Sequence, residues 1–288
     1  MDPTPSRIAV IGGTGLYDMP GLTEVKWQTV STPFGEPSGP ITLGRLGSQN
    51  VAFLPRHGSQ HQLLPSEINF RANIWALKSV GVTQILSVSA VGSLVLEVEP
   101  ASLAIPSQYI DFTKGKRQHT FFGEGLVAHI STAHPSCASL SQAVVQAAKE
   151  KTTRIHAGKL TYVCVEGPRL GTQAESAFLK NAGGHIVGMT NIPEAFLARE
   201  AQICYCTIAV VTDYDCWLDD PSQHASVDQV IALYKKNLNR VQAILEDVLS
   251  HPVEGKNCTC RSALQFAVMT PDSVITPAKR ELLNLLRK

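Results

Sequence analysis

Short apolar runs rich in β-branched residues recur at 7–11, 39–45, 50–54, 83–90, 160–166, 184–188 and 203–211. Runs of this length, bounded by turn formers, predict strands. Between them, near 66–79, 137–150, 173–182, 193–201 and 226–249, apolar residues return every three or four positions and predict helices. The alternation predicts an α/β fold with a mixed central β-sheet flanked by helices. The clearest helix opens at Ser226, where Ser226 and Gln229 fit a capping box, and Val227, Val230, Tyr234, Leu238, Val241, Leu245 and Val248 follow on one face. Residues 251–262 hold Pro, Gly, Asn and Lys and read as an exposed connection before a last strand at 264–268. Thr276-Pro277 then starts a terminal helix, an N-cap followed by a first-turn proline. This tail reads as a packing or subunit element, so residues 1–288 are expected to form one domain.

Composition narrows the function. The 288 residues are 44% hydrophobic and 17% charged, enough to bury a large core. Twenty-five Lys and Arg against 24 Asp and Glu leave a charge of +1, without the basic excess of a nucleic-acid or membrane-surface binder. No apolar run approaches the roughly 18 residues needed to span a bilayer, so a soluble, cytoplasmic protein is expected. Seven cysteines, several inside apolar runs, fit a reducing setting. Cys258-Thr259-Cys260 can form a strained redox pair or half of a metal site. No second pair at zinc spacing accompanies it, so free thiols are expected.

The candidate chemistry sits where predicted strands end. The run 203–211 leads into Thr212-Asp213-Tyr214-Asp215-Cys216-Trp217, two carboxylates two residues apart. In open α/β sheets ligands bind beyond the carboxyl ends of strands, and mutual repulsion between close acids raises one pKa. Asp213 and Asp215 read either as such a pair or as turn formers and helix caps. Strand 7–11 runs into Gly12-Gly13-Thr14-Gly15, an anion-compatible turn or a purely structural one. A dinucleotide fingerprint fits poorly, because Asp18 stands where the third glycine belongs.

Strand 50–54 ends in Arg56-His57-Gly58, which offers a guanidinium fork and an imidazole to an oxyanion, or else a surface Arg and a loop His. Gly58 stands where a zinc-helix glutamate would be, which argues against His57 and His61 as metal ligands. Strand 83–90 reaches Ser89-Ala90-Val91-Gly92-Ser93, and Thr190-Asn191 with Glu194 either caps the next helix or adds a hydroxyl to the anion. Convergence of these loops on one sheet edge is a way to build a metal-free phosphate site.

Taken together, Gly12-Gly13-Thr14-Gly15, Arg56-His57-Gly58, Asn73-Ile74-Trp75-Ala76-Leu77, Glu166-Gly167-Pro168-Arg169, Met189-Thr190 with Pro193-Glu194, and the 212–217 stretch resemble the 5′-methylthioadenosine phosphorylases. These belong to the trimeric purine nucleoside phosphorylases, and the likeness covers nearly all of 7–250. The resemblance implies a homotrimer and phosphate-dependent cleavage of a purine nucleoside, with no cofactor or metal and inorganic phosphate as co-substrate. It assigns Thr14, Arg56, His57, Ser89, Ala90 and Thr190 to phosphate and Met189 to the ribose. Asp213 and Asp215 go to the purine with Thr212 beside them, as catalytic acids.

The same resemblance gives Val227, Val230 and Met269 to the wall around the 5′ group, and His129 to a neighbouring subunit's pocket. Leu170-Gly171 stands where relatives carry an aromatic and a serine, so Gly171 is a specificity position. Ser89 replaces a more usual threonine, and one residue is inserted between Trp217 and Val227. Acceptor oxygens at the purine 6-position favour aminopurines. A phosphorylase of 6-oxopurine nucleosides or methylthioinosine is the nearest alternative, and a non-catalytic nucleoside-binding protein a remoter one.

Overall fold

The computed structural model describes residues 6–13, 15–16, 19–224, 226–251, 253 and 258–288. Its first half runs β1 (Arg7–Gly12), β2 (Leu22–Gln28), β3 (Ile41–Leu46), β4 (Gln49–Pro55), α1 (Phe70–Ser79), β5 (Val82–Ser93), β6 (Leu103–Ile105), β7 (Gln108–Asp111) and α2 (Ala138–Glu150). The second half follows with β8 (Ile155–Ala157), β9 (Thr161–Cys164), α3 (Gln173–Asn181), β10 (Ile186–Gly188), α4 (Asn191–Glu200), β11 (Cys204–Asp213), α5 (Val227–Ser250) and α6 (Pro277–Leu286).

One mixed sheet joins all eleven strands in the order β2-β3-β4-β1-β5-β10-β9-β7, with β11, β6 and β8 branching from β5. The branch is possible because β5 is 12 residues long. Its body pairs parallel with β1 and β11 on its two sides, and its last two residues pair antiparallel with β10.

Side-chain alternation divides the core. Ala9, Ile11, Ala52, Leu54, Ile85 and Tyr205 point to the face covered by α1, α4 and α6. Ile8, Val10, Val51, Phe53, Leu86 and Cys206 point to the face covered by α2 and α5. This period-2 division on strands buried on both faces explains why their sequences read as unbroken apolar runs.

Two expectations change, the strand at 264–268 and the capping box, while the tail takes the packing role, one of the two expected of it. Residues 264–268 are turns rather than a strand: Leu264 and Ala267 dip into the core, Phe266 is 84% exposed, and only Val268 bridges Ala128. Ser226 stands at the N-cap of α5 with extended backbone, but its side chain caps no amide, so the capping box is not formed. The tail packs into its own chain's core through Leu264, Ile275, Leu282, Leu283 and Leu286. The terminal helix does form as expected, with the Thr276 hydroxyl accepting from the Lys279 amide.

Candidate active site

Register brings the predicted loops together. Gly12 lies opposite Pro55, Ile11 opposite Ser87, Ala209 opposite Ser89 and Asp213 opposite Gly92. The carboxyl ends of β1, β4, β5 and β11 therefore share one edge, which β10 reaches through Ser93 and Gly92. Along β5 the step from Ser89 to Gly92 is three residues, about 10 Å at the usual strand rise. That sets an anion-compatible end and an acidic end apart along one strand.

At the first end Arg56 is buried, and its fork is closed on Glu194. Nε donates to Glu194 Oε2 at 2.8 Å and Nη2 to Oε1 at 2.9 Å. Nη1 donates to the Val88 carbonyl at 2.8 Å and Nη2 also reaches Ser87 Oγ at 2.6 Å. The expected free fork is thus corrected: among the described residues, only one of the five N–H groups, on Nη1, is left without a partner. A buried guanidinium needs a carboxylate, since unpaired burial of charge is costly. Burial works against its charge, but Glu194 outweighs it and the pKa is raised. Glu194 also accepts from Ser87 Oγ and Tyr205 OH, so it is the hub of the network rather than a helix cap.

Asn191 likewise caps nothing. Its amide donates to Tyr205 and Thr207 hydroxyls, and its oxygen accepts from Ser89 Oγ at 3.0 Å. Ser89 is buried by that contact, while Ala90 next to it is half-buried. Thr190 is buried, yet its Oγ1 has no hydrogen-bond partner among the described residues. A buried hydroxyl left unsatisfied beyond a strand end is able to receive a polar ligand. Thr14 lies outside the described residues. His57 Nδ1 sits 2.9 Å from the Leu63 carbonyl and therefore carries the hydrogen, leaving Nε2 as an acceptor. Burial, aided by the Arg56 charge, pushes the His57 pKa down to about 4, so the ring is neutral near pH 7.

At the second end Asp213 Oδ1 accepts from the Asp215 amide at 2.7 Å, and Oδ2 lies 2.6 Å from the Thr212 hydroxyl. Thr212 Oγ1 also lies 3.2 Å from the Val91 carbonyl, and it has one hydrogen for the two contacts. Thr212 therefore shares its hydrogen between Asp213 Oδ2 and the Val91 carbonyl, and its donation to Asp213 works against the rise in that carboxyl's pKa. The Asp213 pKa is raised, chiefly by burial, with repulsion from Asp215 the smallest of the named causes. Mutual repulsion, the expected cause, is therefore minor. Asp215 is also raised by burial and accepts from Ser176 Oγ at 2.6 Å. It adopts φ 53°, and a Cβ on Gly92 would come within 2.8 Å of Asp213 Oδ1 and 3.2 Å of Asp215 Cβ. Gly92 is thus required by the close approach of the acids.

Trp217 pins the segment by donating from Nε1 to the Ser93 carbonyl. Gly171 is beside the pair, its missing Cβ 3.8 Å from Asp215 Oδ2. Met189 lies over Gly167, where a Cβ would meet its sulfur at 2.6 Å.

Helix α5 leans on the glycine turn: Leu238 occupies the space beside Gly15, and Gln242 donates to the Gly15 carbonyl at 2.8 Å. Val230, half-buried, and Val227, 63% exposed, continue that face about two and three turns nearer the helix start than Leu238. His129 and Met269 are brought together elsewhere. The His129 amide donates to Ala267 O and the Met269 amide to Val127 O, flanking the Ala128–Val268 bridge. Among the described residues no hydrogen bond links this pair to Asp213 or Thr190. Glu194, Ser87, Tyr205 and Ser176 were not singled out as site residues, because each acts through a partner distant in sequence.

An acid pair and an anion-compatible end on a branched α/β sheet define a nucleoside-processing class. The chain belongs to the phosphorylase superfamily, whose family model matches residues 7–250. A Geobacter sulfurreducens protein named S-methyl-5′-thioadenosine phosphorylase is 48% identical over 279 residues, covering 97% of each chain. A Koribacter versatilis protein of the same name is 46% identical over 98% of this chain and 95% of its own. Among solved structures, a methylthioadenosine phosphorylase from an antarctic soil metagenomic library is 43% identical with a TM-score of 0.92, covering 99% of both chains. A Schistosoma mansoni methylthioadenosine phosphorylase in complex with adenine is 37% identical, with a TM-score of 0.79 over 85% of this chain and 91% of that one.

Proposed function

We propose that this chain cleaves the N-glycosidic bond of 5′-methylthioadenosine with inorganic phosphate, giving adenine and 5-methylthioribose 1-phosphate. The observation that carries the reading is the half-buried Asp213 carboxyl, its pKa raised by burial, set on the strand end opposite Gly92 and tied to Asp215 through the Asp215 amide. Glycosidic cleavage develops positive charge on the ribose and negative charge on the base, so it needs a proton for the base and an anion below the sugar. Asp213 in its protonated form, which burial favours, gives its proton to purine N7, and Asp215 with Asp213 accepts from the 6-amino group. Thr190 Oγ1, the free Nη1 hydrogen of Arg56, Ser89, the Ala90 backbone and Thr14 receive phosphate. His57 Nε2, as an acceptor, takes a hydrogen from a protonated phosphate oxygen. Met189 packs on the ribose.

Val227 and Val230 shelter the 5′ thioether. His129 and Met269 are supplied together by a neighbouring subunit of a homotrimer, because they flank one bridge and are both exposed in the single chain. We read the enzyme as cytoplasmic, with phosphate as co-substrate and no cofactor or metal in the chemistry. The test is the ratio of kcat/KM for methylthioadenosine to that for methylthioinosine. Replacing Asp213→Asn or Asp215→Asn puts an amide donor at the 6-position, so the ratio falls by at least about tenfold. A ratio unchanged in both variants refutes the base assignment.

A further inference from the structure

Far from this edge, four cysteines distant in sequence converge. Cys137 stands at the N-cap of α2, Cys204 begins β11, and Cys258 and Cys260 lie at the turn before the tail enters the core. Their sulfurs all lie within 4.8 Å of one another, with Cys137 and Cys258 at 3.6 Å. Cys258-Thr259-Cys260 lacked a second pair at zinc spacing in the sequence; the fold supplies it from α2 and β11. The Cys137 amide donates to the Tyr205 carbonyl at 2.8 Å, which fixes those two elements side by side.

We propose that Cys137, Cys204, Cys258 and Cys260 form a tetrathiolate site for one Zn²⁺ that clips the C-terminal segment to the core. Four sulfurs about 2.3 Å from a tetrahedral zinc are about 3.8 Å apart, which is the spacing class of this cluster. A two-iron cluster needs its thiolate pairs held further apart, across the width of its core, and hard cations take oxygen ligands instead. Binding releases four protons, one from each thiol, and leaves a net charge of −2. The Lys78 ammonium, which interacts with Cys204 and with Arg261, lies close enough to offset part of it. The site is structural. Asp213 ends the strand that Cys204 begins, about 30 Å away at the usual rise. The clipped segment carries Met269 and the Val268 bridge to Ala128, beside His129, so the zinc orders a surface that we assign to the neighbour's pocket.

The test uses the full-length protein purified without chelator and dialysed into metal-free buffer. Expected are about one zinc per chain by mass spectrometry of the metal, four sulfurs at about 2.3 Å by X-ray absorption, and an unreduced mass matching seven thiols. Cys258→Ser and Cys260→Ser lose the zinc, while Cys206→Ala, two residues along β11, keeps it. If the serine variants do not fold, the wild-type measurements decide alone. An unreduced mass 2 or 4 Da below the reduced mass, or seven freely reacting thiols with no zinc after exposure to it, overturns the proposal.

Discussion

Replacing Glu194 by Gln removes the charge that holds Arg56 while keeping the shape. Glu194 accepts from Arg56 Nε, Arg56 Nη2, Ser87 Oγ and Tyr205 OH, and both partners of the ion pair are at most 2% exposed in their side chains. Removing one partner of such a pair costs about 3–5 kcal/mol, because the other charge is left buried and unpaired. Gln keeps one acceptor oxygen, so the lower end, about 3 kcal/mol, is expected. At roughly 2–4 °C per kcal/mol the thermal midpoint falls by about 6–12 °C. Differential scanning fluorimetry reads the midpoint, and steady-state kinetics reads KM for phosphate, which rises because Arg56 no longer holds its Nη1 hydrogen in place. Arg56→Met added to Glu194→Gln removes the stranded charge and restores most of the midpoint without restoring phosphate affinity. A midpoint within about 1 °C of wild type in Glu194→Gln, or no recovery in the double variant, refutes the reasoning.

Two substitutions separate the ends of the site. Thr190→Val removes a hydroxyl with no hydrogen-bond partner among the described residues, so stability holds while KM for phosphate rises about tenfold, the equivalent of one hydrogen bond of about 1.4 kcal/mol. Gly92→Ala forces Asp213 and Asp215 apart, so kcat/KM for methylthioadenosine falls, whereas Gly171→Ala, with ordinary contact at 3.8 Å, is tolerated. Stability against pH carries opposite slopes from two groups. His57 titrates near 4 folded against 6.5 unfolded, so the unfolded chain binds more protons in that window and stability falls as pH drops through it, by roughly 3 kcal/mol. Glu200, buried and raised from 4.5 to about 7, makes the folded chain bind more protons, so its contribution falls as pH rises. In Glu200→Gln the midpoint therefore climbs more steeply between pH 4.5 and 6.5 than in wild type, and equal slopes contradict the assignment.

The central strands were legible because both faces of β1, β4, β5 and β11 are buried, which leaves an unbroken apolar signature. Strand β2 was not, since nearly all of Leu22–Gln28 is exposed and Trp27 is 75% exposed, so no face stands out. Strands β6 and β8 are three residues each, too short to display a period. The apolar run at 264–268 misled because Leu264 and Ala267 are buried at a turn-like spacing of three. In the site, Asp213, Asp215 and Thr190 could be read from their place after apolar runs. Glu194 could not, because a glutamate in the first turn of a helix looks like a cap, and its real partner is 138 residues away. The same blindness hid Cys137 and Cys204 from Cys258 and Cys260.

The most direct measurement is adenine release from 5′-methylthioadenosine by the purified protein with and without inorganic phosphate. The account predicts release that saturates with phosphate and consumes one phosphate per adenine. Release that proceeds equally well without phosphate, or none at all in its presence, contradicts it.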